Sequence, residues 1–243
     1  EICACLVGSE MCIRDRYKIY LQSDFRQGRV CEVRMINSKL KIVFVDWYNT
    51  LSSSKFFVNK KDPQPELCKI CRHRTFVENE PLLVPWKSGK IFKQDILNAI
   101  SRNRKEYDAF YSLLKASCEN MEFDSDAFLP KIERLRSKGM KVVVATDNFD
   151  VFCDYSVPSL RLHELFDDVV SSHQVGYVKS DVRNGRLKFF EDTLKKYRLG
   201  YENAVMLDDQ LEVVNACNQN GLSAMRIERP QDLEKALEKL AAS

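Results

Sequence analysis

Asp46, Thr146, Lys179, Asp208 and Asp209 are the residues of this sequence best placed for shared chemistry. Asp46 follows the run Ile-Val-Phe-Val at 42–45, the pattern of a strand buried on both faces. Thr146 closes a second apolar run at 140–145, with Asp147 and Asn148 behind it. Lys179 lies in the loop region after a third run at 168–171, and Asp208 and Asp209 close a fourth at 204–207. A charge set down by an apolar strand is costly if unpaired. It is therefore paired, bound to a metal or chemically engaged; for Asp46 taken alone, capping the next turn is the plainer alternative. Three carboxylates together suit a hard cation such as Mg²⁺, which takes one or two of them and keeps positions for water and phosphate. The lysine and the hydroxyl would then hold an anion.

These residues meet only if their strands lie side by side. Between the runs the sequence alternates to helix. Asp124 or Ser125 can cap a helix through Lys138, with Gly139 as its stop. A helix broken at Pro158 is expected after Asn148, and an amphipathic helix at 186–197 places Leu187, Phe190, Leu194 and Tyr197 on one face. A further helix at 211–220 stops at Gly221, a fifth strand spans 223–227, and Pro230 opens a last helix to Leu240. Repeated βα units predict an α/β fold with a parallel, doubly wound sheet. Its strand ends share one edge, where such folds bind ligands. Residues 52–123 differ: they are punctuated by Pro63, Pro65, Pro81 and Pro85, and helical periodicity runs from Phe92 to Ala116 with an interruption near Ser101-Arg102-Asn103. The expectation is a mostly helical insertion, with 35–51 and 124–243 forming the core.

The chain has 243 residues and a net charge of +3, too little to imply nucleic acid or an acidic membrane surface as partner. No apolar run approaches a bilayer span. Nine cysteines are present; those after residue 34 are odd in number and widely spaced, so a reduced, cytoplasmic setting is expected. Cys68-Lys-Ile-Cys71 with His73 is half of a zinc site, and Cys118 is the one further cysteine of the insertion; buried or surface thiols are the plainer reading. Residues 1–16 resemble translated sequencing-adapter read-through, and the native protein is expected to begin at Met35, leaving 1–34 as a non-native leader.

The same residues carry a family resemblance. The chain resembles the haloacid dehalogenase superfamily of hydrolases from residue 41 to about 228. Asp46-Trp-Tyr-Asn-Thr-Leu51 resembles the first motif, Thr146 after Val-Val-Val-Ala the second, Lys179 in Val-Gly-Tyr-Val-Lys the third, and Met-Leu-Asp208-Asp209 with Glu212 the fourth. The insertion falls where that family carries a helical cap. The resemblance implies that Asp46 is a nucleophile forming an aspartyl intermediate. It implies Mg²⁺ at Asp46, the Tyr48 carbonyl and Asp208, supported by Asp209 and Glu212. Thr146, Asp147, Asn148 and Lys179 would hold the phosphate of a small phosphomonoester, with Lys179 neutralising charge, and the cap would close over the site.

Tyr48 departs from the pattern. Phosphatases of the family carry a second Asp there as general acid and base, help typically worth about 10²–10⁴-fold. A phenol is a poor base at neutral pH. Tyr at this position resembles the 2-haloacid dehalogenases, which work without metal, and Trp47 resembles the phosphonatase branch. The alternatives to an Mg²⁺-dependent phosphatase are a catalytically impaired phosphate or partner binder and a metal-free dehalogenase. Asn49, where the family has Gly, suits a left-handed backbone.

Overall fold

β1 (Ile42–Val45) is the central strand of a five-stranded sheet, and all four of its residues are fully buried. The structure, a computed structural model, describes residues 39–242; the expected leader and the start at Met35 lie outside the described residues. β2 (Lys141–Thr146) and β3 (Asp168–Ser171) extend the sheet on one side of β1. β6 (Ala204–Asp208) and β7 (Ser223–Arg226) extend it on the other. The spatial order is β3-β2-β1-β6-β7, and every pair is parallel. The chain thus leaves β1 in one direction and later returns to its other flank. Strand order reverses between β1 and β6, the place where doubly wound sheets open a crevice.

Side chains alternate across the strands because the pleat has period two. Val43, Val45, Val142, Val144, Val205 and Leu207 face one apolar cluster. Ile42, Phe44, Val143, Ala145, Ala204 and Met206 face the other. The second face is covered by helices Lys188–Tyr197 and Leu211–Gln219. Over the first lie helices Phe128–Ser137 and Pro230–Ala242. With both faces covered, truncating Phe44 to Ala would cost about 3–5 kcal/mol.

The insertion is helical throughout its ordered elements: Pro65–His73, Leu83–Lys87, Lys93–Ile100 and Arg104–Glu119, with a π turn at Arg74–Glu78. The break at 101–103 exists because Asn103 leaves the helical path to cap the next helix, accepting the Glu106 N–H at 3.0 Å. Phe57, Trp86, Ile96, Phe110 and Leu114 belong to the same apolar cluster as Val43, Trp47 and Leu207. Insertion and sheet therefore share one core.

Two expectations need correction. Residues 186 and 187 are not helical: β4 (Val182–Arg183) and β5 (Arg186–Leu187) form a short hairpin around Asn184 and Gly185, at φ 53° and 69°. An Asn-Gly pair with both φ positive fits a type I′ turn, which outweighs helical periodicity at that point. The helix after Asn148 does not break at Pro158. A π turn at Phe152–Ser156 runs straight into Val157–Ser159, and the break comes at Arg161, φ 53°. Pro158 follows directly on the π turn, whose widened register accommodates a residue without an N–H.

Candidate active site

The edge of the sheet gathers side chains that are far apart in sequence. Asp46 and Asp208 leave the ends of β1 and β6, whose registers match from Ile42 with Ala204 to Val45 with Leu207. The Asp46 N–H bonds to the Leu207 carbonyl at 2.9 Å, carrying the pairing one step past the strand. Asp46, Asp208 and Asp209 each offer a carboxylate oxygen within 4.8 Å of the others. Lys179 is fully buried between them, its Nζ 2.7 Å from Asp46 Oδ1 and 2.6 Å from Asp208 Oδ2.

The loop after Asp46 is tightly wound. The Trp47 carbonyl accepts from the Leu51 and Ser52 N–H groups at 3.0 and 2.9 Å, and Asn49 takes φ 57°. The Asn49 side-chain amide donates to Asp209 Oδ2 at 3.3 Å, tying the first strand end to the fourth. Trp47 is buried in edge contact with Phe123 and against Phe152, which fixes the loop from below.

The strand ends of β2 and β3 supply the remaining wall. Asp147 Oδ1 accepts the Lys179 N–H at 2.9 Å, so this carboxylate positions the lysine's backbone. Thr146 is buried, and its hydroxyl accepts from the Asn148 amide at 3.4 Å. Ser172 Oγ takes the Asn148 N–H at 3.0 Å, while the Ser171 and Ser172 hydroxyls both donate to its carbonyl. These two serines carry no motif in the sequence; consecutive hydroxyls at the end of an apolar strand are the only signal they give.

Two expected residues stand apart. Glu212 is exposed, outside the group of three carboxylates, and accepts the Ser180 hydroxyl at 3.3 Å. The Tyr48 side chain is exposed at 37%. The zinc alternative does not form among the described residues: Cys68, Cys71 and Cys118 are free thiols, and His73 pairs with Glu78 at 3.4 Å. Burial pushes the Cys71 thiol up to about 12, which keeps it protonated and inert.

Charge is crowded at the site. Burial raises Asp46 far above the usual carboxylate range; Lys179 opposes the rise, and Asp208 and Asp209 add to it. Burial raises Asp209 as well, helped by Asp208 and opposed by Asn49. For Lys179, burial would lower the ammonium, but Asp208, Asp46 and Asp147 outweigh it and hold it charged. One ammonium therefore serves several carboxylates. Asp46 Oδ1 is answered by the Lys179 ammonium at 2.7 Å, whereas the buried Asp209 Oδ1 has no hydrogen-bond partner. A buried acceptor without a donor calls for an unseen ligand or ion. The oxygen-only donor set, the crowded negative charge and the orphaned Asp209 Oδ1 fit a divalent cation of the magnesium type.

No family model matches the chain. Among solved structures, it is similar to a predicted HAD-like family hydrolase from Porphyromonas gingivalis, with TM-score 0.60, 16% identity and coverage of 85% of this chain and 100% of that one. The fold is HAD-like. A HAD family enzyme from Bacteroides thetaiotaomicron, in complex with magnesium and inorganic phosphate, superimposes with TM-score 0.55 at 11% identity, covering 77% of this chain and 93% of that one. An L-2-haloacid dehalogenase from Xanthobacter autotrophicus with chloropropionic acid covalently bound gives TM-score 0.55 at 12% identity, covering 77% of each chain. HAD-like neighbours thus include both phosphate-binding and dehalogenase structures, and at these identities they establish the fold alone. Among curated proteins, the mouse (Mus musculus) acyl-CoA dehydrogenase family member 10 is 26% identical over 145 residues, 60% of this chain. The chain spans 13% of that protein's length. No helix among the described residues is long and apolar enough to cross a membrane.

Proposed function

We propose that the protein is a magnesium-dependent HAD-like hydrolase, a phosphatase acting on a small phosphomonoester through an aspartyl-phosphate at Asp46. The observation that carries this reading is the group of three carboxylates at the β1/β6 switch point, served by one fully buried lysine and with the buried Asp209 Oδ1 lacking a hydrogen-bond partner. Asp46, Asp208 and Asp209 would hold the cation, with the Tyr48 carbonyl as a further oxygen and Glu212 in outer support. Bound there, Mg²⁺ supplies neutralisation of the phosphate's charge. Asp46 attacks phosphorus in line, the bond to the leaving oxygen breaks, and the leaving group takes the electron pair. Water then attacks the aspartyl-phosphate, releasing phosphate and restoring the Asp46 carboxylate. Lys179 holds the nucleophile in place and neutralises the transferred group, and Thr146, Asp147 and Asn148 orient it. The insertion, residues 52–123, would act as the cap of a core made of 35–51 and 124–243. Free thiols suit a cytoplasmic setting.

Tyr48 favours one second reading. With an exposed phenol in place of a carboxylate acid, turnover of unactivated esters is slow, and the site then serves as a phosphate binder. Hydrolysis of p-nitrophenyl phosphate with and without Mg²⁺, beside Asp46→Asn, separates the readings, because its leaving group needs little protonation. Metal-dependent turnover lost in the variant supports the phosphatase. Chloride release from 2-chloropropionate without metal would replace it by a dehalogenase.

A further inference from the structure

Lys87 is a half-buried lysine at the end of helix Leu83–Lys87, and it forms no ion pair among the described residues. Its chain neighbours fix the helix end. The Trp86 indole N–H donates to Asp150 Oδ1 at 2.6 Å, and its ring stacks on Phe149 with centroids 3.9 Å apart. The Trp86 carbonyl accepts from His173 Nδ1 at 2.8 Å. Two residues beyond Lys87, Gly89 passes so close that a Cβ there would lie 2.3 Å from the His173 carbonyl oxygen, at φ 69°. The helix end is thus fixed to the segments that follow Asn148 and Ser172. Those segments carry Asp147, Asn148 and the serines that hold them. The charge of Lys87 reaches the Asp147 carboxylate, which grips the Lys179 N–H from the other side.

Asp147, the carboxylate that feels the Lys87 charge, is already engaged by the Lys179 N–H, which leaves the Lys87 ammonium with donors to offer an anion at the site. The insertion's other well-anchored lysine, Lys93, has two carboxylates on its ammonium. We propose that Lys87 is a specificity residue that receives a second anionic group of the substrate, a carboxylate or further phosphate beyond the one held at Asp46 and Lys179. This rests on the phosphatase reading. The substrate class is a small phosphorylated acid rather than a neutral alcohol ester.

The probes are ethyl phosphate and 2-phosphoglycolate, which differ by a methyl in place of a carboxylate. Their dissociation constants are measured by calorimetry with Mg²⁺ present on the wild type, Lys87→Gln and Lys87→Arg. The wild type should bind 2-phosphoglycolate about tenfold or more tightly than ethyl phosphate. Lys87→Gln should bring the ratio near one, and Lys87→Arg should keep most of it. Equal affinities in the wild type, or a preference that survives Lys87→Gln, would overturn the proposal. The readout needs no turnover, so failure of the hydrolase reading in the p-nitrophenyl phosphate assay is distinguished from failure here.

Discussion

Lys179 and Lys93 make an instructive pair. Each ammonium sits between two aspartates: Lys179 between Asp46 and Asp208, Lys93 between Asp150 and Asp154. At Lys93 everything is answered. Asp150 Oδ1 takes the Trp86 indole, Asp150 Oδ2 takes the Lys93 N–H at 3.0 Å, and Asp154 is half open to water. This cluster joins the insertion to the core and nothing more is asked of it. At Lys179 all three groups are sealed from solvent, a third carboxylate adjoins them, and its buried Oδ1 has no donor. Equal ingredients therefore give a fastener in one place and a strained, under-satisfied pocket in the other. Strain of this kind persists where the rest of the fold over-determines it, and it marks functional sites.

The sharpest way to break the contrast is to exchange the roles. Asp46→Asn should lower turnover of p-nitrophenyl phosphate by about 10³-fold or more, as loss of a nucleophile does. The same change removes a crowded charge, so the melting temperature should hold or rise; a marked fall would mean that Asp46 is structural. Magnesium should act on one cluster only. Chelation should abolish turnover, and Mg²⁺ at 100 times its dissociation constant should stabilise the folded state by about 2.7 kcal/mol, read as a melting shift. In Asp208→Asn that shift should shrink, whereas Asp154→Asn should leave it unaltered. Asp150→Ala should do the reverse of Asp46→Asn: it orphans the Trp86 N–H and the Lys93 amide, costing about 2–3 kcal/mol in denaturant unfolding. The smallest effect concerns Asp167, a fully answered carboxylate near the start of β2. Burial would raise it, but the Val142 N–H, Lys141 and Arg136 outweigh burial and hold it below the usual range. Its contribution is full above the unfolded carboxylate value near ~3.9 and is lost as pH falls through the folded value. Asp167→Asn should flatten the acid limb of the melting curve against pH.

Much of this could be read from residue order. The alternation of apolar runs and helical periods dictates a parallel, doubly wound sheet, because strands buried on both faces need crossover helices. The polar residue closing each run marks where the edge would lie. Asn184-Gly185 was equally legible as a hairpin turn, yet helical spacing from Leu187 onward masked it. Pro158 misled for a different reason: a π turn before it removes the constraint that normally ends a helix there.

The chain by itself settles which residues end the strands, since burial of a β-branched run and the onset of polar residues are local properties. It settles the helical nature of the insertion on the same ground. Strand order is another matter. That β1 lies between β2 and β6, bringing Asp46 against Asp208 and Lys179 between them, depends on contacts across more than a hundred residues. So does the position of Lys87, which no motif marks and which acquires meaning only because Trp86, Gly89 and His173 fix its helix beside Asp147. Local sequence encodes pleat and period; only packing of the whole chain decides which charges must share one buried space.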